Sequence, residues 1–149
     1  MYQSSYVFEC LNTKRYTFES VGHNKIRKVV EFTHVGMNDT FNLAFGDLRE
    51  DGAVDDQIIS NNGDIVKVLT TVINVLRDFI EKHPGAIVAF VGSTPERMRL
   101  YTRILRSYYS TFSKEFTIST VIQIEENYEE IPFDPAAPSN YIIFFVKRI

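Results

Sequence analysis

Arg97 is the residue whose type and position most strongly suggest chemistry. It stands in VGSTPERMRLYTRIL (91–105), close to the predicted start of a helix. At about 100° per residue it falls in the middle of the apolar arc of that helix. An unpaired guanidinium is costly to bury, so a partner is expected. The partner is either a carboxylate from 47–56 or Asp64, or an anion bound with the free N–H groups of the helix start. An uncertain helical phase near the helix end is the third interpretation.

The start of the other predicted helix, SNNGD (60–64), carries a second group that could hold an anion. Asn62 and Gly63 can adopt left-handed conformations and present backbone N–H groups. The candidate anion site therefore comprises Asn62, Gly63, Ser93, Thr94 and Arg97. The alternative is an ordinary helix cap with a glycine turn, worth on the order of 1 kcal/mol. Asp64 would also repel a phosphate placed close to it.

Other catalytic or metal-binding patterns are weak. Cys10 is the only cysteine, which excludes an internal disulfide and argues against a cysteine-based zinc site. The segment DLREDGAVDD (47–56) lacks the spacing of a calcium loop and is interpreted as a solvated acidic loop, so no metal is predicted. Arg99, Arg103 and Arg106 lie opposite the apolar arc of their helix, as a solvated face or as a short basic stripe for an acidic partner.

The hydrophobic pattern predicts the elements that must position these residues. Six strands are expected, at 15–20, 25–35, 40–45, 86–91, 116–124 and 140–146. Two helices are expected, at 64–82 and 94–112, with loops at 46–64 and 125–139. The turn GMND (36–39) makes a hairpin of the second and third strands.

The predicted order is β-β-β-α-β-α-β-β in a single domain, 1–149. A helical connection into the continuously apolar strand AIVAFV (86–91) implies parallel pairing, whereas the hairpins imply antiparallel neighbours. The fold class is therefore α+β, with a mixed, mostly antiparallel sheet and two helices. The chain has 149 residues, of which 44% are hydrophobic, enough for a core that buries about 70% of the unfolded surface.

Charge and segment composition limit the classes of partner. The net charge of −3 gives no global basic field, so neither nucleic acid nor an anionic membrane is an expected partner. No signal peptide and no apolar run of about 18 residues is found, so a soluble cytoplasmic protein is expected. The strands at 116–124 and 140–146 are candidates for a sheet edge that pairs with a second copy, so a homodimer is a candidate assembly.

Two resemblances add to these predictions. The segments YTFESVGHNKIRKVVEF, FNLAFGD, SNNGDIVKVLTTV and GSTPERMRLYTRI together resemble a family of small, uncharacterised bacterial proteins. That resemblance covers most of the chain and implies no activity. The element order is similar to the core of the GCN5-related N-acetyltransferases, without their first strand and first two helices.

The helix TPERMRLYTRIL (94–105) carries the second resemblance. Leu100 and Tyr101 match the Leu-Tyr pair of the acetyltransferase helix, and Arg103 takes its basic position. The resemblance implies coenzyme A as cofactor and Tyr101 as general acid for the leaving thiolate. The pyrophosphate loop of that family, Gln/Arg-x-x-Gly-x-Gly/Ala, is represented only by Gly63, so no cofactor is predicted and coenzyme A is the alternative. Two hypotheses follow: a non-catalytic binding or interaction module with a degenerate acetyltransferase-like fold, and an acyl-CoA-dependent N-acyltransferase.

Overall fold

The computed structural model describes residues 5–36, 38–55, 62–91, 94–137 and 141–149. The strands in these parts of the chain are β1 (Phe8–Asn12), β2 (Arg15–Val21), β3 (Lys25–His34), β4 (Thr40–Leu48), β5 (Val54–Asp55), β6 (Ile87–Phe90), β7 (Phe116–Ile124), β8 (Asn127–Pro132) and β9 (Ile143–Arg148). The helices are α1 (Ile65–Lys82), α2 (Pro95–Ser107) and α3 (Tyr109–Phe112). None of these helices is long and apolar enough to cross a membrane.

The strands form one mixed sheet in the order β1-β2-β3-β4-β6-β9-β7-β8, and β5 pairs with the end of β4. Every pair is antiparallel except β4 with β6, which are parallel. α1 lies between these two strands in the chain, since parallel neighbours need a crossover connection. The predicted α+β class, the mostly antiparallel mixed sheet and the β3–β4 hairpin are confirmed.

Several predicted elements need correction. The helix predicted at 94–112 is two helices, because Tyr108 leaves helical geometry (φ −110°, ψ 13°), so the described residues form three helices rather than two. The loop predicted at 125–139 contains β8, and the loop predicted at 46–64 contains the end of β4 and all of β5. β1 was not predicted. β1 and β8 are both edge strands and largely exposed, so neither shows the alternation that marks a half-buried strand.

The predicted edge for dimerisation is also wrong. β7 lies between β9 and β8, and β9 lies between β6 and β7, so both strands pair on two sides. The edges of the sheet are β1 and β8. A second copy therefore cannot add to β7 or β9 through the backbone.

The helices all pack on one face of the sheet. Phe79 of α1 stacks on Phe32 of β3 with ring centroids 3.9 Å apart. Tyr101 of α2 meets Phe90 of β6 edge-on at 5.5 Å, and Phe112 of α3 is buried in the same cluster. Burial of each such side chain contributes roughly 1.5–3 kcal/mol, so this face holds the core. No described helix covers the opposite face.

Candidate functional site

The predicted residues of α2 lie near the point where β4 and β6 cease to pair, which we call the divergence of the two strands. Thr40–Leu43 of β4 pair with Ile87–Phe90 of β6, and β6 ends there. β4 continues, and its last two residues, Asp47 and Leu48, pair with β5 instead. Between these two pairings no described strand lies beside β4 on that edge. Its backbone groups must therefore be satisfied in another way.

Arg97 occupies this divergence. Its Nη1 lies 3.5 Å from the carbonyl oxygen of Phe45, two residues beyond the last β4 residue that pairs with β6. Its guanidinium lies 5.2 Å from the centre of the Phe45 ring. Arg97 is only 6% exposed, as its position on the apolar arc predicts. A desolvated cation over an aromatic ring contributes about 2 kcal/mol, so the ring offsets part of the cost of burying the charge.

Thr94 caps the helix that carries Arg97. Its Oγ1 accepts a hydrogen bond of 3.2 Å from the Arg97 backbone N–H. One of the free N–H groups of the helix start is therefore already satisfied within the protein. Pro95 occupies the first turn of α2, where its missing N–H costs no hydrogen bond. Ser93, the remaining predicted residue of this group, lies outside the described residues.

A buried ion pair lies on the same face, next to Phe45. Lys28 of β3 pairs with Asp47 of β4, and Lys28 is only 3% exposed. The two residues are directly opposite each other in the β3–β4 pairing. They lie two residues along from the pair Val30 and Phe45. Sequence analysis missed this pair. The sequence could have indicated a buried Lys28, because Lys28 and the apolar Val30 are two residues apart in a strand and so lie on the same face.

Tyr101 lies one turn after Arg97 and lines a small apolar cavity between α1, α2 and the sheet. The lining residues are Leu43, Val72, Ile73, Leu76, Phe90, Tyr101 and Leu105. The cavity volume is about 10 Å³, the space of a single water molecule. Burial raises the pKa of the Tyr101 hydroxyl to about 12, although the charge of Arg97 lowers it.

At the start of α1 the Asn62 side chain makes three hydrogen bonds within the protein. The Asn62 amide donates to Ser20 Oγ at 2.9 Å and to the Asn24 carbonyl at 2.7 Å. Asn62 Oδ1 accepts from the Asn24 backbone N–H at 2.7 Å. Gly63 has φ +79°, and a Cβ on it would lie 3.0 Å from Nε2 of His23. The Asn62 side chain is therefore used in anchoring the turn between β2 and β3.

Gly22 in that turn makes the close approach possible. A Cβ on Gly22 would lie 1.7 Å from the carbonyl oxygen of Asn62. The same oxygen accepts a hydrogen bond of 3.0 Å from the His23 backbone N–H. Only glycine allows the two backbone segments to meet here. Sequence analysis did not single out Gly22.

Asp64, a predicted carboxylate partner for Arg97, binds the N-terminal segment. Its Oδ2 accepts hydrogen bonds of 2.6 Å from the hydroxyls of Tyr6 and Ser20. Burial, and next the hydrogen bond to Asp64, raise the pKa of Tyr6. Asp64 therefore ties the segment before β1 to the start of α1.

The structure thus divides the candidate residues into two groups. Thr94, Arg97 and Tyr101 lie along one side of α2, whereas Asn62 and Gly63 contact the β2–β3 turn. Across the part of the chain that is described, no cluster of three His, Cys, Asp or Glu side chains could hold a metal ion. At the two helix starts, the Asn62 and Asp64 side chains and the Arg97 backbone N–H are engaged with the protein itself.

Comparison with known proteins places the chain in a family. The family model described as "Family of unknown function (DUF6934)" matches residues 2–149, so the chain belongs to that family. No curated protein and no solved structure matches the chain. The family carries no stated activity, and the geometry must therefore supply the functional hypothesis.

Proposed function

We propose that this member of a family of unknown function is a non-catalytic interaction module with an acetyltransferase-like core. The topology supports the proposal. The strand order β2-β3-β4-β6-β9-β7 includes the parallel pair β4 and β6, with one helix before β6 and another after it. This order of elements is the one that suggested the acetyltransferase resemblance in the sequence.

The observation that carries the proposal is the position of Arg97. An acyl-CoA-dependent transferase of this architecture needs an open cleft where the two central strands diverge. Here the Arg97 side chain fills the divergence, donates to the Phe45 carbonyl and covers the Phe45 ring. The apolar cavity lined by Tyr101 has a volume of only about 10 Å³. A pantetheine arm is far larger than one water molecule and does not fit.

The start of α1 supports the same conclusion. A pyrophosphate needs free backbone N–H groups and no nearby negative charge at a helix start. Asn62 is engaged with Ser20 and Asn24, and the Asp64 carboxylate is held beside them through Ser20. The engaged Asn62 side chain and the nearby Asp64 carboxylate therefore disfavour a pyrophosphate at this helix start.

The test is a thermal-shift titration with acetyl-CoA and with free coenzyme A. It uses the wild type, Arg97→Ala, and Arg99→Ala as the matched control. Arg99 is on the same helix, but its side chain is 64% exposed and pairs with Glu96 at 3.4 Å. Neither ligand should shift the melting temperature of the wild type. A ligand at 100 times its dissociation constant would add about 2.7 kcal/mol of stability, which is easily detected.

Unliganded stability provides the second readout. Arg97→Ala should lose roughly 2–4 kcal/mol, because it removes a buried side chain with its ring and carbonyl contacts. Arg99→Ala should stay within about 0.5 kcal/mol of the wild type. A clear shift of the wild type by both ligands would overturn the proposal. So would an Arg97→Ala variant as stable as the wild type, since the arginine would then not close the cleft.

An acyl-CoA-dependent N-acyltransferase is the second candidate, favoured by the position of Tyr101 in the cavity wall next to β6. In that reaction an amine nitrogen attacks the thioester carbonyl, the carbon–sulfur bond breaks, and Tyr101 donates its proton to the leaving thiolate. The ammonium proton returns to the tyrosinate. The Tyr101 hydroxyl is protonated at neutral pH, but burial raises its pKa to about 12, which makes it a weaker general acid than an ordinary tyrosine. If acetyl-CoA binds, loss of acyl transfer in Tyr101→Phe with binding retained would establish this role.

A further inference from the structure

The sheet face opposite the helices has the pattern of a protein interface. Its central residues are small or apolar and belong to β6, β7 and β9. Ile87, Ile143, Phe145 and Val121 are half-buried, and Ala89 is buried. We propose that a second copy of this chain docks on this face through a two-fold axis. The inference goes beyond the proposed function and is independent of it, because the cleft and its residues lie on the helical face.

The alternation of the strands establishes which residues face outwards. In β9, Phe144 and Val146 are buried in the core, whereas Phe145 between them is half-buried and Lys147 is exposed. On the β6 side of β9, Phe145 is directly opposite Ala89. An apolar strip across neighbouring strands, with no helix over it, costs free energy when it is left in water.

A groove crosses this face. It has a volume of about 230 Å³. Its lining residues are Thr40, Ile87, Thr117, Ser119, Glu130, Phe145 and Lys147. The apolar side chains share the groove with polar ones of both charge signs. Apolar centres with polar surroundings are the usual composition of protein–protein interfaces.

The available area suits a small, reversible dimer. Five strands, β4, β6, β9, β7 and β8, span about 24 Å at the usual spacing, and six residues of strand span about 20 Å. The open face is therefore roughly 500 Å² per copy, or about 1,000 Å² for two copies. That total is at the lower bound for a specific interface, so a dissociation constant in the micromolar range is expected.

The charges in the groove are complementary under two-fold symmetry. Lys147 lies opposite Ile87 and Thr117, and Glu130 lies opposite Val121. The Ser119 hydroxyl donates to Glu130 at 2.6 Å and fixes the carboxylate in the groove. In a two-fold dimer, each contact of one residue with another occurs twice. Lys147 of one copy can therefore meet Glu130 of the other at two places around the apolar centre.

Charge reversal distinguishes a second copy from any other partner. Lys147→Glu or Glu130→Lys alone places like charges together twice and should weaken the dimer at least about tenfold. The double variant with both changes restores opposite charges only if the partner carries the same substitutions. Its dissociation constant should return to within about threefold of the wild type. Phe145→Ser should weaken the dimer at least as strongly as the single reversals.

Sedimentation velocity over a concentration series, up to about 1 mM, measures these constants. Val66→Glu is the matched control, because Val66 is 47% exposed but lies on α1, on the other side of the sheet. It should leave dimerisation unchanged. Circular dichroism and melting temperature show that each variant is folded. A wild type that stays monomeric at the highest concentration overturns the proposal. A double variant no tighter than the single reversals overturns it too.

Discussion

The stability of the protein above pH 10 tests whether the cleft is closed, because the pKa of the Tyr101 hydroxyl depends on its burial. Burial raises the pKa of this hydroxyl from 10.0 to about 12. The folded protein therefore retains the proton over a range in which the unfolded chain has lost it. The contribution of this pKa difference to the free energy of unfolding is fully present below pH 10 and is lost as the pH rises through 12. At about 1.4 kcal/mol for each pH unit, the total loss is about 3 kcal/mol.

Urea unfolding at neutral pH and near pH 11.5 measures this loss, with Tyr101→Phe as the comparison. The phenylalanine keeps the edge-on contact with Phe90 but cannot ionise. The pKa values of Tyr6 and Tyr16 are also raised, chiefly by burial, so both proteins lose stability at high pH. The wild type should lose about 2 kcal/mol more than Tyr101→Phe by pH 11.5.

Two results would refute this reasoning. The first is an equal loss in both proteins. The second is a Tyr101 resonance, in carbon-13 spectra of labelled tyrosine, that titrates near pH 10 in the folded state. Either would mean that water reaches the hydroxyl and that the cleft is open. Arg97→Ala sharpens the comparison, since loss of the positive charge raises the pKa of Tyr101 if the cleft stays closed. Entry of water would lower it.

Two stability predictions concern the contacts around the helix starts. Gly22→Ala should cost about 3 kcal/mol or more, since its Cβ would lie 1.7 Å from the Asn62 carbonyl oxygen. Gly85→Ala, with 3.4 Å to its nearest neighbour, should change stability little, and equal melting temperatures of the two variants would contradict the close approach. Tyr6→Phe should cost roughly 1–3 kcal/mol by removing a hydrogen bond to a carboxylate. The same change at Tyr128, which is 67% exposed, should be nearly neutral, and chemical denaturation compares them.

The secondary structure was largely predictable where one face of an element is buried. α1 shows this clearly, since its apolar arc gave the predicted 64–82 and the structure has Ile65–Lys82. β8 shows the opposite case. Its exposed residues include Glu129 and Glu130, and its pairing with β7 depends on backbone groups that every sequence possesses. Hydrophobic patterns report burial, so a solvated edge strand leaves no such signal.

The candidate site was predictable only in part, for the same reason. The helical period alone identified Arg97 as buried, and Thr94, one of two predicted residues at the helix start, is the N-cap. The contacts of these residues required the tertiary structure. Arg97 meets Phe45 across 52 positions of the chain, and Asn62 meets Asn24 across 38. No local pattern encodes which distant carbonyl or amide lies opposite.

The sequence by itself determined which residues must be buried and which helices begin at a cap, because burial and capping depend on neighbours within a turn or two. The tertiary structure decided what those residues touch. Whether the cleft is open depends on where β6 ends relative to β4, and β4 continues five residues beyond Leu43, its last partner in β6. That relation is set by long-range strand pairing. It places the buried Arg97 against the Phe45 carbonyl, 52 positions away in the chain.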